Sequence, residues 1–122
     1  MDLNGAGDAF AAGFLYGISI GLDYNAAGQL ATHCATHIIT KEGAMDVLRP
    51  NFIESSTYLK YNELQIYIKN ETPYLVHTID AISMESANRY MVDAHTGMVI
   101  DIFPLIYEEG PVMGSGINLL NE

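Results

Sequence analysis

The sequence predicts an α+β protein, a helical hairpin followed by an antiparallel four-stranded meander. Two rhythms and one turn signal carry that expectation. Ala26/Ala27, Leu30/Ala31, Cys34/Ala35 and Ile38/Ile39 recur every four residues, which lays one apolar stripe along a helix. From Asn62 the period falls to two, with Leu64, Ile66 and Ile68 alternating with Gln65, Tyr67 and Lys69 as on a half-buried strand. Ala94-His95-Thr96-Gly97 then separates two further β-rich runs, with Gly97 able to supply the left-handed residue of a hairpin.

The first helix is expected from about Gly7 to Ile20, pairing Phe10 with Phe14 and Leu15 with Ile18 and closing at Gly21. The second carries the Ala26 to Ile39 stripe, with Asp23 or Asn25 as its cap and Gly43 as its terminator. Arg49 to Tyr61, with Pro50, Asn51, Ser55, Ser56 and Thr57, has the composition of a connection. Strands follow at 62 to 69, 73 to 79, 89 to 93 and 98 to 103, and the end from Glu108 to Glu122 is expected to be irregular. The organisation is therefore 1 to 52 helical, 53 to 61 linker, 62 to 107 a β module and 108 to 122 a tail. Net charge agrees with a boundary, since two basic residues face five acidic ones up to residue 52, and three face ten beyond it. The economical arrangement lays the hairpin on one face of the meander. Periodicity leaves open whether the halves pack, and an unpacked stripe would favour self-association.

At 122 residues the chain can form one small domain or hold parts of two, and a 49% hydrophobic content suits a folded core. A formal net charge of −10 repels nucleic acid and anionic membrane, so neither is an expected partner. No run reaches the ~20 apolar residues of a membrane span. The first residues lack the basic segment of a signal peptide, so a cytoplasmic location is expected. Cys34 is the sole cysteine, which excludes an internal disulfide and reads as a small core residue.

The chemistry-bearing motif is Asn4-Gly5-Ala6-Gly7-Asp8, directly before a helical run. Its backbone N–H groups would open the N-terminus of that helix, where the macrodipole favours an anion such as phosphate. The glycines allow close backbone approach, and Asp8 could take a proton from an attacking hydroxyl. A turn followed by an ordinary helix cap would give the same few letters. The surrounding residues go further. Asp2-x-Asn4-Gly5-Ala6-Gly7-Asp8-Ala9-Phe10, with Ala12-Gly13-Phe14-Leu15, Gly43-Ala44 and Arg49-Pro50-Asn51-Phe52, resembles the C-terminal signature of ribokinase/adenosine kinase-type (pfkB-like) carbohydrate kinases. The resemblance covers residues 1 to 52, with Leu3 in place of the usual Thr and Thr32 where Asn or His is frequent. It implies a piece of an α/β kinase fold and ATP-dependent phosphorylation of a ribose or sugar hydroxyl. Asp8 would be the base, Asn4, Gly5, Ala6 and Gly7 the anion hole and ATP-phosphate site, and Thr32, Gly43 and Ala44 the border of the nucleotide pocket. ATP and Mg would be the cofactors. Such kinases need elements that precede this motif, so the motif by itself is expected to be nearly inactive.

Residues 62 to 116 resemble the propeptide end, a PepSY-like module, of thermolysin-type metallopeptidases. The residues concerned are Leu64-Gln65-Ile66-Tyr67, Pro73 to Val76, Tyr90 to Val99 and the junction-like Gly110 to Gly116. This implies an inhibitory or folding module with a protease partner, and is the rival to the kinase reading; an inactive fused fragment is the third. No metal site is expected. His33 and His37 stand at i, i+4 but lack a third ligand, and His77 and His95 have no spaced partner. Glu108-Glu109 reads as a solvated end, and the six methionines as core filling.

Overall fold

A computed structural model describes residues 5–105, in which three helices precede a four-stranded antiparallel sheet. The first helix, α1, spans Ala6–Ser19 and stops where expected, because Gly21 takes φ 96° and the amides of Gly21 and Leu22 close on the carbonyls of Ile18 and Gly17. Asp23 accepts from the amide of Ala26 at 2.8 Å and so starts α2, Tyr24–Ala35. The two helices meet through small residues. Ala9, Gly13 and Gly17 are the buried positions of α1, and Ala27, Ala31 and Cys34 those of α2. A Cβ added to Gly13 would lie 2.8 Å from the Cys34 sulfur and 3.0 Å from the Ala31 Cα, so glycine sets how closely the backbones approach.

The second helix is shorter than its stripe suggested. It ends at Ala35; Thr36 is extended and His37 is left-handed at φ 57°. Thr36 turns its hydroxyl back to the Thr32 carbonyl at 2.7 Å, and the β-branched run that follows gains more from the sheet than from another helical turn. The Ile39 amide donates to the Ala94 carbonyl at 2.8 Å, and the Ile39 carbonyl lies 2.9 Å from Nε2 of His77. Gly43 therefore ends no helix. It sits in the first turn of a further one, α3 (Lys41–Leu48), with its amide 2.7 Å from the capping hydroxyl of Thr40. A 3₁₀ turn, Arg49–Phe52, follows, and Arg49 pairs with Glu42 and Asp46 on the surface of α3.

The strands run in the order β1 (Tyr58–Lys69), β2 (Thr72–Ile82), β3 (Ala87–Asp93) and β4 (Val99–Pro104). β1 begins inside the segment taken for a connection. The register slips between Tyr61 and Glu63, and this bulge moves the inward phase from the odd positions Leu59 and Tyr61 to the even positions Leu64 and Ile66. One alternation therefore cannot run through the whole strand. The tight turn Asn70-Glu71 has both residues left-handed, as a two-residue hairpin requires. At the β3–β4 corner Gly97 is left-handed at φ 79°, and Asp93 accepts from the amides of His95 and Thr96 at 2.7 and 2.9 Å.

The halves pack. Ala9 and Cys34 join Leu75 and Ala94 in one buried cluster, and Ala44 and Leu48 join Ile79 and Val92 in a second. His77 stands between them on the same face of β2, 1% exposed, with Nδ1 2.8 Å from the Tyr61 hydroxyl. On the opposite face Thr78, Asp80 and Met91 are also buried, and side chains of the two outer strands meet across it. Tyr67 and Lys69 of β1 bond Asp101 of β4, and Tyr67 packs edge-on against Phe103. Such contacts between outer strands require a strongly curled sheet.

Candidate functional site

Gly5 is the N-cap of α1 and holds φ 89°, a left-handed conformation that glycine adopts at little cost. A Cβ there would meet only Leu64, at 3.8 Å, so backbone conformation rather than crowding favours glycine. Gly7 has no described atom within 4 Å of the place its Cβ would occupy. Asp8 lies in the first turn with an exposed side chain, while the next residue, Ala9, is fully buried in the core. The amide end of α1 and one carboxylate are thus presented together on a helix anchored by the layer beneath. Asn4 lies outside the described residues, as do Asp2, Leu3, Glu108-Glu109 and the Gly110 to Gly116 segment.

The three residues expected to border a nucleotide are spread over two helices. Thr32 is exposed on α2, and its hydroxyl donates to the Gly28 carbonyl at 3.0 Å. Gly43 offers its amide to Thr40, and Ala44 has no exposed surface, its methyl lying in the cluster with Leu48, Ile79 and Val92. Ala44 therefore offers a ligand no surface in this conformation.

The pairing of Asp80 with Arg89 was not expected from the sequence. Asp80 is 4% exposed and receives Nε and Nη2 of Arg89 at 2.7 and 3.0 Å. Burial pushes its carboxyl up, but bonding to Arg89 and Asn62 and the charges of Arg89 and Lys60 together outweigh burial and hold it below the usual carboxylate range. The His77 ring is pushed down by burial, with its contact to the Ile39 carbonyl opposing the shift. Burial raises the Cys34 thiol, so this cysteine is a packed thiol rather than a nucleophile.

Two histidines share a cleft of about 160 Å³ between the helical layer and the β3–β4 corner, lined also by Tyr16, Cys34 and Tyr74. His33 projects from α2 and His95 from the corner, with ring centroids 6.0 Å apart. His37, at i, i+4 from His33 in sequence, does not share its helix face, because α2 has already ended. No three His, Cys, Asp or Glu side chains converge among the described residues. No helix among them is long and apolar enough to cross a membrane.

Residues 1–51 match the model of the pfkB family carbohydrate kinase. A protein of Archaeoglobus fulgidus described as an uncharacterized sugar kinase is 48% identical over 48 residues. That match takes in 39% of this chain and 19% of the archaeal protein, so the chain spans about a fifth of that relative's length. No solved structure matches the chain. The family match falls on the helical segment, and the likeness of residues 62 to 116 to a protease propeptide rests on the sequence alone.

Proposed function

We propose that residues 1 to 51 carry the phosphate cradle and proton-accepting carboxylate of a sugar-kinase-type phosphotransferase. The observation that carries this reading is the agreement between the family match over residues 1–51 and the form of the α1 N-terminus, where Gly5 is left-handed and Asp8 exposed. Amides of Gly5, Ala6 and Gly7, with Asn4 before them, would hold the phosphates of ATP through the positive end of the helix. They would also stabilise charge developing on the transferred group. Asp8 would accept the proton of a ribose or sugar hydroxyl as its oxygen bonds to the terminal phosphorus and the bond to ADP breaks. Magnesium, when bound with the nucleotide, would neutralise phosphate charge. Thr32 and the α3 turn at Gly43-Ala44 are assigned to the border of the nucleotide site, with Gly43 at the turn and Ala44 packed beneath it. Residues 1 to 52 form the kinase-like unit of this proposal, residues 62 to 107 a second unit that supports it, and the reaction is cytoplasmic. Positioning dominates phosphoryl transfer. The first expectation is accordingly nucleotide binding rather than turnover.

Thermal unfolding with and without millimolar Mg-ATP tests this. The native chain should gain stability, by about 2.7 kcal/mol if ligand stands near a hundredfold over its dissociation constant. Gly7→Asp puts a negative charge where a Cβ meets nothing, so it should fold normally and lose the shift. Asp8→Asn should keep the shift and abolish any phosphorylation of adenosine or simple sugars. An unchanged melting temperature for the native chain would overturn the proposal.

A further inference from the structure

We propose that His33 and His95 form a site for one divalent transition-metal ion that prefers imidazole, such as zinc or copper, and that this ion ties the helical layer to the sheet. The first argument is the tautomer of His95. Its Nε2 lies 3.0 Å from the Cys34 carbonyl oxygen, and a carbonyl only accepts, so Nε2 carries the hydrogen. In the neutral ring Nδ1 is then left as a lone-pair donor. A ring whose second nitrogen donates to a backbone carbonyl has the outer-shell arrangement that fixes tautomer and orientation in metal-binding histidines.

The second argument is separation. With a Zn–N bond of about 2.0–2.1 Å, a ring centroid lies roughly 3.2 Å from its metal, so two rings on one tetrahedral ion have centroids about 5.2 Å apart. The rings of His33 and His95 are 6.0 Å apart, so a small rotation of the exposed His33 side chain brings them to that separation. Access is the third argument, since His33 is exposed and both rings open on the cleft shared with Tyr16 and Tyr74. No third side chain of the usual ligand types joins them among the described residues, so water completes the coordination and the ion is exchangeable. The partners are imidazole nitrogens, which suit zinc and copper and not magnesium. The site thus stands apart from any nucleotide-bound cation, and it does not depend on the kinase reading.

The test is calorimetric titration of the full chain with zinc in a non-coordinating buffer, together with copper(II) electron paramagnetic resonance. One zinc per chain should bind, and the copper spectrum should carry hyperfine structure from two imidazole nitrogens. His33→Ala, at an exposed position, and His95→Ala should each weaken zinc binding at least about tenfold, the scale that even an outer-shell partner commands. His37→Ala should leave it unchanged. Zinc should raise the melting temperature of the native chain but not of either cleft variant, since the ion bridges two elements. Circular dichroism establishes that the variants are folded, and His33→Ala alone suffices if His95→Ala is not. Absence of saturable zinc binding, undiminished binding by His33→Ala, or dependence on His37 instead would each overturn the site.

Discussion

The α1–α2 hairpin and the outer face of the sheet are closed in opposite ways. Between the helices, closure comes from atoms that are missing: Gly13 and Gly17 let Ala27, Ala31 and Cys34 approach to the limit of contact. On the sheet it comes from long polar side chains that reach across strands, Arg89 to Asp80 within the face and Tyr67 and Lys69 to Asp101 over it. The first region should be intolerant of added atoms and the second intolerant of losing a partner. Family likeness falls only on the first, which also carries the glycine motif at its leading edge.

Breaking the polar closure should have the larger effect. Arg89→Ala would leave the Asp80 carboxylate buried without its bidentate partner. Losses of this kind reach 3–5 kcal/mol when both charges are fully buried; with Arg89 41% exposed, about 2–3 kcal/mol is expected in chemical denaturation. The sign of the pH effect follows. Asp80 is held below its ordinary value, so its contribution is complete above that value and is lost as pH falls through the folded-state pKa. Arg89→Ala should therefore flatten the acid limb of the stability curve, and an acid limb as steep as that of the native chain would refute the pair's role.

Adding one carbon to the helix interface should cost less, and a matched substitution sets the scale. Gly13→Ala gains helix propensity but drives a methyl into the Cys34 sulfur and the Ala31 backbone, for a net loss of about 1–2 kcal/mol. At Gly28, also helical, a Cβ meets nothing within 4 Å, so Gly28→Ala should stabilise by up to about 1 kcal/mol. The same chemical change thus has opposite signs in one hairpin, readable from two melting curves. Equal effects would mean that close approach of the helices is not what Gly13 provides.

The sequence showed most plainly what is local. Asp23, Gly21 and Gly97 fulfil their cap and turn roles because each acts within a few residues. Strand order follows from short connections. What stayed hidden depends on partners far along the chain. Ile38 and Ile39 continue a helical stripe on paper, yet Ile39 is taken by Ala94 and His77. The bulge near Asn62 splits one strand into two phases, which hid its first half. In the candidate site, Gly5 and Asp8 were legible as a motif, whereas the burial of Ala44 could be seen only after the unexpected α3 had been placed against the sheet. The His33–His95 pairing joins residues sixty-two positions apart, beyond the reach of any spacing rule.

His77 sits on the seam between the two regions and gives the smallest of these effects, with the narrowest signature. Both ring nitrogens are engaged: the Ile39 carbonyl requires hydrogen on Nε2, so in the neutral ring Nδ1 accepts from the Tyr61 hydroxyl. Protonation would force that hydroxyl to turn and would place a charge in a site 1% exposed. Burial has already lowered the folded-state pKa below its ordinary 6.5. The unfolded chain therefore takes up the proton first, and the stability held by the neutral ring is complete above 6.5 and declines as pH falls toward the folded-state value. Melting temperature should begin to drop at the upper end of this window, before Asp80 titrates. His77→Gln should be less stable at neutral pH by about 1 kcal/mol, the worth of one hydrogen bond, yet show a shallower decline on acidification. A decline unchanged by the substitution would assign the acid sensitivity to other groups.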